Sequence, residues 1–278
     1  MKLLRIGDKG KEKPAILDNN KIRSLENHID DFDSKNLNFE TIKKIKELDL
    51  KSLKEIDSNN RIGPCVKNPG KFIAIGLNYS DHASESGMEI PKEPIIFQKA
   101  SSSIIGPNDH VILPKESKKL DWEIELAFVV GKETINISET EAPEHILGYC
   151  IVNDISEREW QLERGGNWTK GKSADTFGPM GPYLVTKDEI PDINNLSLKL
   201  KVNEKIMQKG NTDKMIFNVN FILSYLSKFM SLQPGDVVTT GTPPGVGMGM
   251  KPQVFLKKKI LCILQLIVWE NKNRRLSN

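Results

Sequence analysis

The chain has 278 residues, a mass of 31.3 kDa, a formal net charge of +3 and 38% hydrophobic residues. That suits one large soluble domain beside a small one. It excludes a basic nucleic-acid footprint, and the longest apolar run, residues 260–269, is too short to span a bilayer.

Residues 1–66 read as a small N-terminal β-rich accessory domain. Residues 1–6, 15–18 and 21–25 suit short strands, with turns at Asp8-Lys9-Gly10 and Asn19-Asn20. Residues 39–48 suit a short charged helix. Residues 1–8 lack the apolar core of a secretory signal. Cys65, Cys150 and Cys262 have no disulfide or metal spacing, which suits free thiols and a cytoplasmic setting.

Residues 67–278 read as a second, larger domain. Residues 72–75 form a buried strand. His82 and Glu85 are three apart, so a helix there places them on one face, where a carboxylate orients an imidazole for proton transfer. The plainer alternative is an exposed His beside an exposed Glu. Residues 111–114 suit another strand. Leu120 to Phe128 alternates with period two: Trp122, Ile124, Leu126 and Phe128 share one side, and Asp121, Glu123 and Glu125 the other. Carboxylates two apart on a strand repel one another, and a hard divalent ion relieves this. The competing reading is a solvated edge whose acids face water, Lys118 or Lys119.

Residues 148–154 form a second strand ending in Asp154, which completes a three-carboxylate set with Glu123 and Glu125. Arg158 and Gln161 follow Asp154 by four and seven residues, so a helix there turns them back toward it; a surface salt bridge and simple solvation are the alternatives. Lys172, near Asp175, reads either as a surface lysine or as a cation for a substrate carboxylate or enolate. Residues 183–186 and 196–202 suit strands, and residues 215–230 a helix with Ile222, Leu226 and Phe229 on one face. Residues 237–240 suit a strand leading into Thr240-Gly241-Thr242-Pro243, a loop fit either for an oxyanion or for a tight turn.

These pieces recur in a recognisable order: Gly76-Leu77-Asn78-Tyr79-Ser80-Asp81-His82, Pro94-Ile95-Ile96-Phe97, Glu123-Ile124-Glu125-Leu126, Asn153-Asp154, Gly171-Lys172-Ser173 and Thr240-Gly241-Thr242-Pro243. The set, from about residue 71 to about residue 252, resembles the fumarylacetoacetate hydrolase family. Residues 170–179 are most similar to its branch of 2,4-diketo-3-deoxy-sugar-acid hydrolases, whose members also carry a ureidoglycolate lyase label.

The resemblance implies a mostly β fold with some α: a mixed β-roll catalytic domain after the small N-terminal domain. It implies a hydrolase of C–C bonds in 2,4-diketo acids, acting on a small keto acid as a homodimer. Lyase, oxaloacetate-type decarboxylase, dienoate isomerase and non-catalytic sugar-acid binder are the alternatives. Glu123, Glu125 and Asp154 would hold Mg²⁺ or Mn²⁺, with Ca²⁺ a further candidate. His82 and Glu85 would activate water from a lid, with Lys172 and Gln161 stabilising charge. Asn78, Arg158, Asp175, Gly241 and Thr242 would contact substrate.

After Lys258 the chain departs from the family's usual ending. A shifted reading frame within Lys257-Lys258-Lys259 would produce this; a divergent tail that still supplies the last strand is the alternative. The expectation is that residues after about 258 pack poorly.

Overall fold

A computed structural model describes residues 1–257 and 262–266. The strands are β1 (Lys2–Ile6), β2 (Lys13–Asp18), β3 (Lys21–Ser24), β4 (Glu55–Ile56), β5 (Phe72–Gly76), β6 (Ile95–Gln98), β7 (Ile104–Ile105), β8 (Leu120–Asp121), β9 (Ile124–Val130), β10 (Ile146–Asn153), β11 (Ser156–Glu157), β12 (Gly178–Pro179), β13 (Leu184–Thr186), β14 (Ser197–Val202), β15 (Lys205–Asn211), β16 (Val237–Thr239) and β17 (Cys262–Leu266). The α-helices are α1 (Phe39–Lys46), α2 (Ser80–Ser86), α3 (Thr169–Lys172) and α4 (Val219–Ser227). The fold is mostly β.

Ten strands make one mixed sheet in the order β4-β3-β2-β1-β13-β10-β9-β16-β5-β6. β1 pairs antiparallel with β13, so the N-terminal strands extend the same sheet across residue 66. Asn19 and Asn20 both adopt positive φ, 45° and 67°, which suits the two-residue turn between β2 and β3. A second sheet, β15-β14-β17, packs over one face.

β9 explains why the middle of the sheet is dry. Ile124, Leu126, Phe128 and Val130 join a core with Leu198 and Leu200 of β14 and Ile222, Leu223 and Leu226 of α4. Ala127 and Val129 join the opposite core with Leu3, Phe32, Phe72 and Leu147. Each large apolar side chain buried this way contributes about 1.5–3 kcal/mol. The alternation was read correctly, but the acid-bearing side is buried, not solvated.

Three expectations are corrected. The strand expected over residues 120–128 is interrupted at Trp122 and Glu123: the Glu123 N–H donates to Asn153 Oδ1 (3.0 Å), outside the ladder. Residues 111–114 form no strand, because no neighbouring backbone pairs with them; the Ile112 N–H donates to Thr176 Oγ1 (2.8 Å) instead. The helix expected over 215–230 is confined to α4, started by the Asn218 side chain accepting from Phe221 N–H. Phe229 lies beyond its end and is 62% exposed, meeting the Tyr225 ring edge to face at the end of an outer aromatic row. Most of the tail after Lys258 lies outside the described residues; within it, β17 pairs antiparallel with β14.

A buried ion network fastens the N-terminal strands. Arg5 binds Asp31 (Nε–Oδ1 2.6 Å) and Glu12 (3.3 Å), and Arg61 binds Glu12 (2.7 Å) and Asp109 (2.6 Å). Burial pushes the Asp31 and Glu12 carboxyls up, but Arg5 and Arg61 outweigh it and hold both below their ordinary values. A carboxylate with a depressed folded-state pKa stabilises above its unfolded pKa, and that contribution disappears as pH falls through the folded value. Urea denaturation from about pH 7 down to about pH 3 is therefore expected to show stability falling below about pH 4. Asp31→Asn should flatten that slope and cost about 3 kcal/mol at neutral pH.

Candidate active site

The strand ends gather a dry cluster of opposite charges. Glu123 sits in the break between β8 and β9, Glu125 is the second residue of β9, and Asp154 follows β10. The Asp154 N–H donates to the Glu123 carbonyl (2.8 Å), locking the two strand ends together. Ligand atoms of Glu123, Glu125 and Asp154 all lie within 4.8 Å of one another, and all three residues are buried.

Three cations hold these acids. Lys172 Nζ lies 2.6 Å from Glu123 Oε2 and 2.7 Å from Asp154 Oδ2. Lys99 Nζ lies 2.6 Å from Asp154 Oδ1 and also donates to the Lys172 carbonyl. Arg158 reaches Glu123 Oε1 (2.6 Å), Asp121 Oδ2 (2.9 Å) and Gln161 Oε1 (3.1 Å). Burial opposes Glu123 ionisation, but Arg158 and Lys172 prevail and hold its pKa down to about 2. Glu125 goes the other way: burial, then Asp154 and Glu123, push it well above the ordinary carboxylate value. It accepts from the Gly241 N–H (3.0 Å).

Local sequence places each partner. Arg158 precedes a π-helical turn, Glu159–Glu163, which carries Gln161; such turns recur at functional sites. α3 brings in Lys172 and packs directly on that turn. A Cβ on Gly171 would lie 2.5 Å from the Gln161 backbone nitrogen, so only glycine permits this approach. α2 carries His82 and Glu85 and ends at Gly87 in the left-handed conformation (φ 64°). His82 Nδ1 is 3.1 Å from Glu85 Oε2, so a proton on Nδ1 leaves Nε2 as an acceptor. Burial raises Glu85, while His82 and the Gly245 N–H outweigh it and lower its pKa.

His82, Glu123, Glu125, Asp154, Arg158, Gln161, Lys172 and Thr242 line one partly open cavity. Thr242 reaches the wall with its hydroxyl already bound, and the other expected residues lie outside it. Thr242 Oγ1 donates to the Ile124 carbonyl (2.8 Å) and accepts from Gln208 (2.8 Å), so its hydroxyl proton is already engaged. Asn78 is fully buried outside the cavity wall: Nδ2 donates to the Phe217 and Thr240 carbonyls, and Oδ1 accepts from the Phe217 N–H. Gly241 supports Glu125 through its N–H, and Asp175 is exposed outside the wall. Glu85 stands just behind His82.

Two residues escaped the sequence reading. Lys99 follows β6 and is fully buried, yet nothing in its local pattern separates it from a surface lysine. Asp121 was grouped with Glu123 and Glu125, but the strand break turns it away. It accepts from the Gly247 (2.7 Å) and Met248 (3.0 Å) N–H groups and anchors Arg158. The signal for it was the arginine after Asp154, which needed a buried acid.

An oxygen-only donor set of three buried carboxylates fits a hard divalent cation. The bound oxygens of Glu123 and Asp154 each keep a second lone pair for such an ion. Removing one partner from a buried ion pair costs about 3–5 kcal/mol. Lys172→Met is therefore expected to lose about that much stability in ion-free protein, measured by urea denaturation in chelator; a loss under about 1 kcal/mol would contradict the pairing.

Residues 71–264 match the model for the fumarylacetoacetate hydrolase C-terminal domain. A Burkholderia ambifaria protein with a provisional hydrolase name is 54% identical over 259 residues, 92% of each chain. The fumarylacetoacetate hydrolase from Exiguobacterium antarcticum is 31% identical, with a TM-score of 0.86 over 96% of this chain and 95% of that one. Maleylpyruvate hydrolase from Sphingobium sp. SYK-6, solved with manganese(II) and pyruvate, is 25% identical, with a TM-score of 0.81 over 96% of each. With the family model covering well over half its length and its acids, lysine and histidine gathered in one cavity, the chain belongs to the fumarylacetoacetate hydrolase family.

Proposed function

We propose that this protein is a divalent-metal-dependent hydrolase that cleaves the C3–C4 bond of a 2,4-diketo acid. The observation that carries this reading is the convergence of the Glu123–Glu125–Asp154 triad and the His82–Glu85 pair on one cavity. The neighbour solved with manganese and pyruvate supports it, since pyruvate is one product of such a cleavage.

A divalent ion held by the triad would supply Lewis acidity, chelating the α-keto carboxylate and stabilising the enolate that leaves. The protein side chains do the rest. Glu85 fixes the His82 ring, and His82 Nε2 takes a proton from water as it adds to the C4 carbonyl. The C3–C4 bond then breaks, the acyl carbon leaves as a carboxylic acid, and C3 takes a proton to give the 2-keto acid. Lys172, between Glu123 and Asp154, would offset charge on the enolate oxygen. Gln161, held by Arg158, presents an amide N–H₂ from the same wall.

Two measurements test this. Chelation with EDTA is expected to abolish release of pyruvate from an acylpyruvate, and Mn²⁺ or Mg²⁺ to restore it. Full turnover in rigorous chelator would overturn metal dependence. His82→Ala is expected to lower kcat by ~10²–10⁴ while Mn²⁺ affinity stays unchanged. A drop below about threefold would remove His82 from the chemistry. Isomerisation of a 2-hydroxydienoate without acylpyruvate cleavage would replace hydrolysis with tautomerisation.

A further inference from the structure

The cavity is divided by chemistry. Its charged and polar side chains are the acid–cation cluster, His82, Gln161 and Thr242, whereas Leu77, Met88, Phe97, Leu162, Trp168 and Met248 supply much of the remaining wall. Phe97 and Trp168 meet edge to face at 5.4 Å, and the Phe97 ring lies 5.2 Å from Lys172 Nζ. Trp168 is seated on Gly76, where a Cβ would lie 2.2 Å from the indole, so this apolar wall has little room to shift. Met88 and Leu162 stay 42% and 38% exposed, apolar groups left at the surface end.

The cavity cations are already engaged. Lys172 holds Glu123 and Asp154, and Arg158 holds Asp121, Glu123 and Gln161. Among the described residues no other lysine or arginine lines the cavity. The nearby Arg164 binds Glu159 (2.7 Å), and Lys170 donates to the Arg164 carbonyl. The segment above the cavity carries Asp81, Glu85, Glu89 and Glu93 against Lys92 alone. Asp121, Glu123, Glu125 and Asp154 face Lys99, Arg158 and Lys172, one negative charge in excess. A divalent ion held there would leave one positive charge, which a single carboxylate would neutralise; a second carboxylate at the apolar end would meet no cation. Sugar hydroxyls against an apolar wall would likewise lose their hydrogen bonds.

Building on the diketo-acid hydrolase reading, we propose that the substrate is a monocarboxylate with an uncharged alkyl or aryl acyl group. The site selects against dicarboxylates and against polyhydroxylated acids.

The test uses the intact protein with Mn²⁺. Cleavage of 2,4-dioxooctanoate is compared with that of 2,4-dioxooctanedioate, which differs only by a terminal carboxylate, and with that of a 2,4-dioxo acid bearing hydroxyls along the chain. The expected result is a kcat/KM at least about 100-fold higher for 2,4-dioxooctanoate than for either. Leu162→Arg, at an exposed position, should narrow the gap to the dioate about tenfold by supplying the missing cation. Calorimetry with the non-cleavable 2-oxooctanoate and 2-oxooctanedioate keeps the two readings apart. Tighter binding of 2-oxooctanoate without cleavage of any diketo acid would sink the hydrolase reading and leave this one standing. Equal or tighter binding of the dioate, or its diketo form cleaved equally well, would overturn the present inference.

Discussion

Seven charged side chains meet at the strand ends with almost no access to water, and the rest of the structure is arranged around keeping them paired. Asp121, Glu123, Glu125 and Asp154 cannot share a dry site unless cations stand between them. The chain brings those cations from three separate places: Lys99 after β6, Arg158 before the π-helical turn, and Lys172 in α3. Each is nailed to the scaffold by a further contact. Arg158 shares Asp121 with two backbone N–H groups, and Lys99 holds the Lys172 carbonyl. The ion pairs thereby fix the mutual position of segments that are far apart in sequence.

The same cluster divides its carboxylates by environment. Glu123 is flanked by a guanidinium and an ammonium, so its charge is well compensated. Glu125 is flanked by other carboxylates, which Lys172 and nearby donors offset only in part, so its charge is not. A site built this way has one place where added positive charge gains most, next to Glu125. Glu125 accepts from Gly241 at the start of the loop that follows β16, so that loop frames the cluster from the other side.

The sequence made the acids legible and the cations much less so. Period-two alternation records which side of a strand a residue occupies, and it correctly grouped Trp122, Ile124, Leu126 and Phe128. It does not say what covers the other side; Ala127 and Val129 turned out to face a second core. His82 and Glu85 were legible because the spacing of three carries its own geometry on a helix. Lys99 was hidden because its partner, Asp154, lies in another part of the chain and the protein has 40 lysines and arginines to choose from. Residues 111–114 misled for a related reason: an apolar run becomes a strand only where a neighbouring backbone is free to pair with it. The extended helix expected over 215–230 ignored Asn218, whose side chain caps α4 and sets its start.

The loop over residues 240–249 ties the His82–Glu85 pair to the charge cluster, and its glycines are what allow this. Gly245 donates to Glu85 and adopts φ 103°, with a would-be Cβ 2.0 Å from the Met207 carbonyl oxygen. Gly247 donates to Asp121, and a Cβ there would lie 1.9 Å from the Val254 oxygen. Gly249 lies against Glu85, where a Cβ would fall 2.7 Å from the carboxyl carbon. A side chain at any of these positions must push the loop outward or displace Glu85. Moving the loop would loosen Glu85 behind His82 and remove the N–H groups that hold Asp121, and with it Arg158 and Glu123. His82 and the carboxylates sit on different elements, yet one stretch of backbone sets the distance between them. In the proposed hydrolysis that distance would decide whether water held by His82 can reach a carbonyl held at the acids.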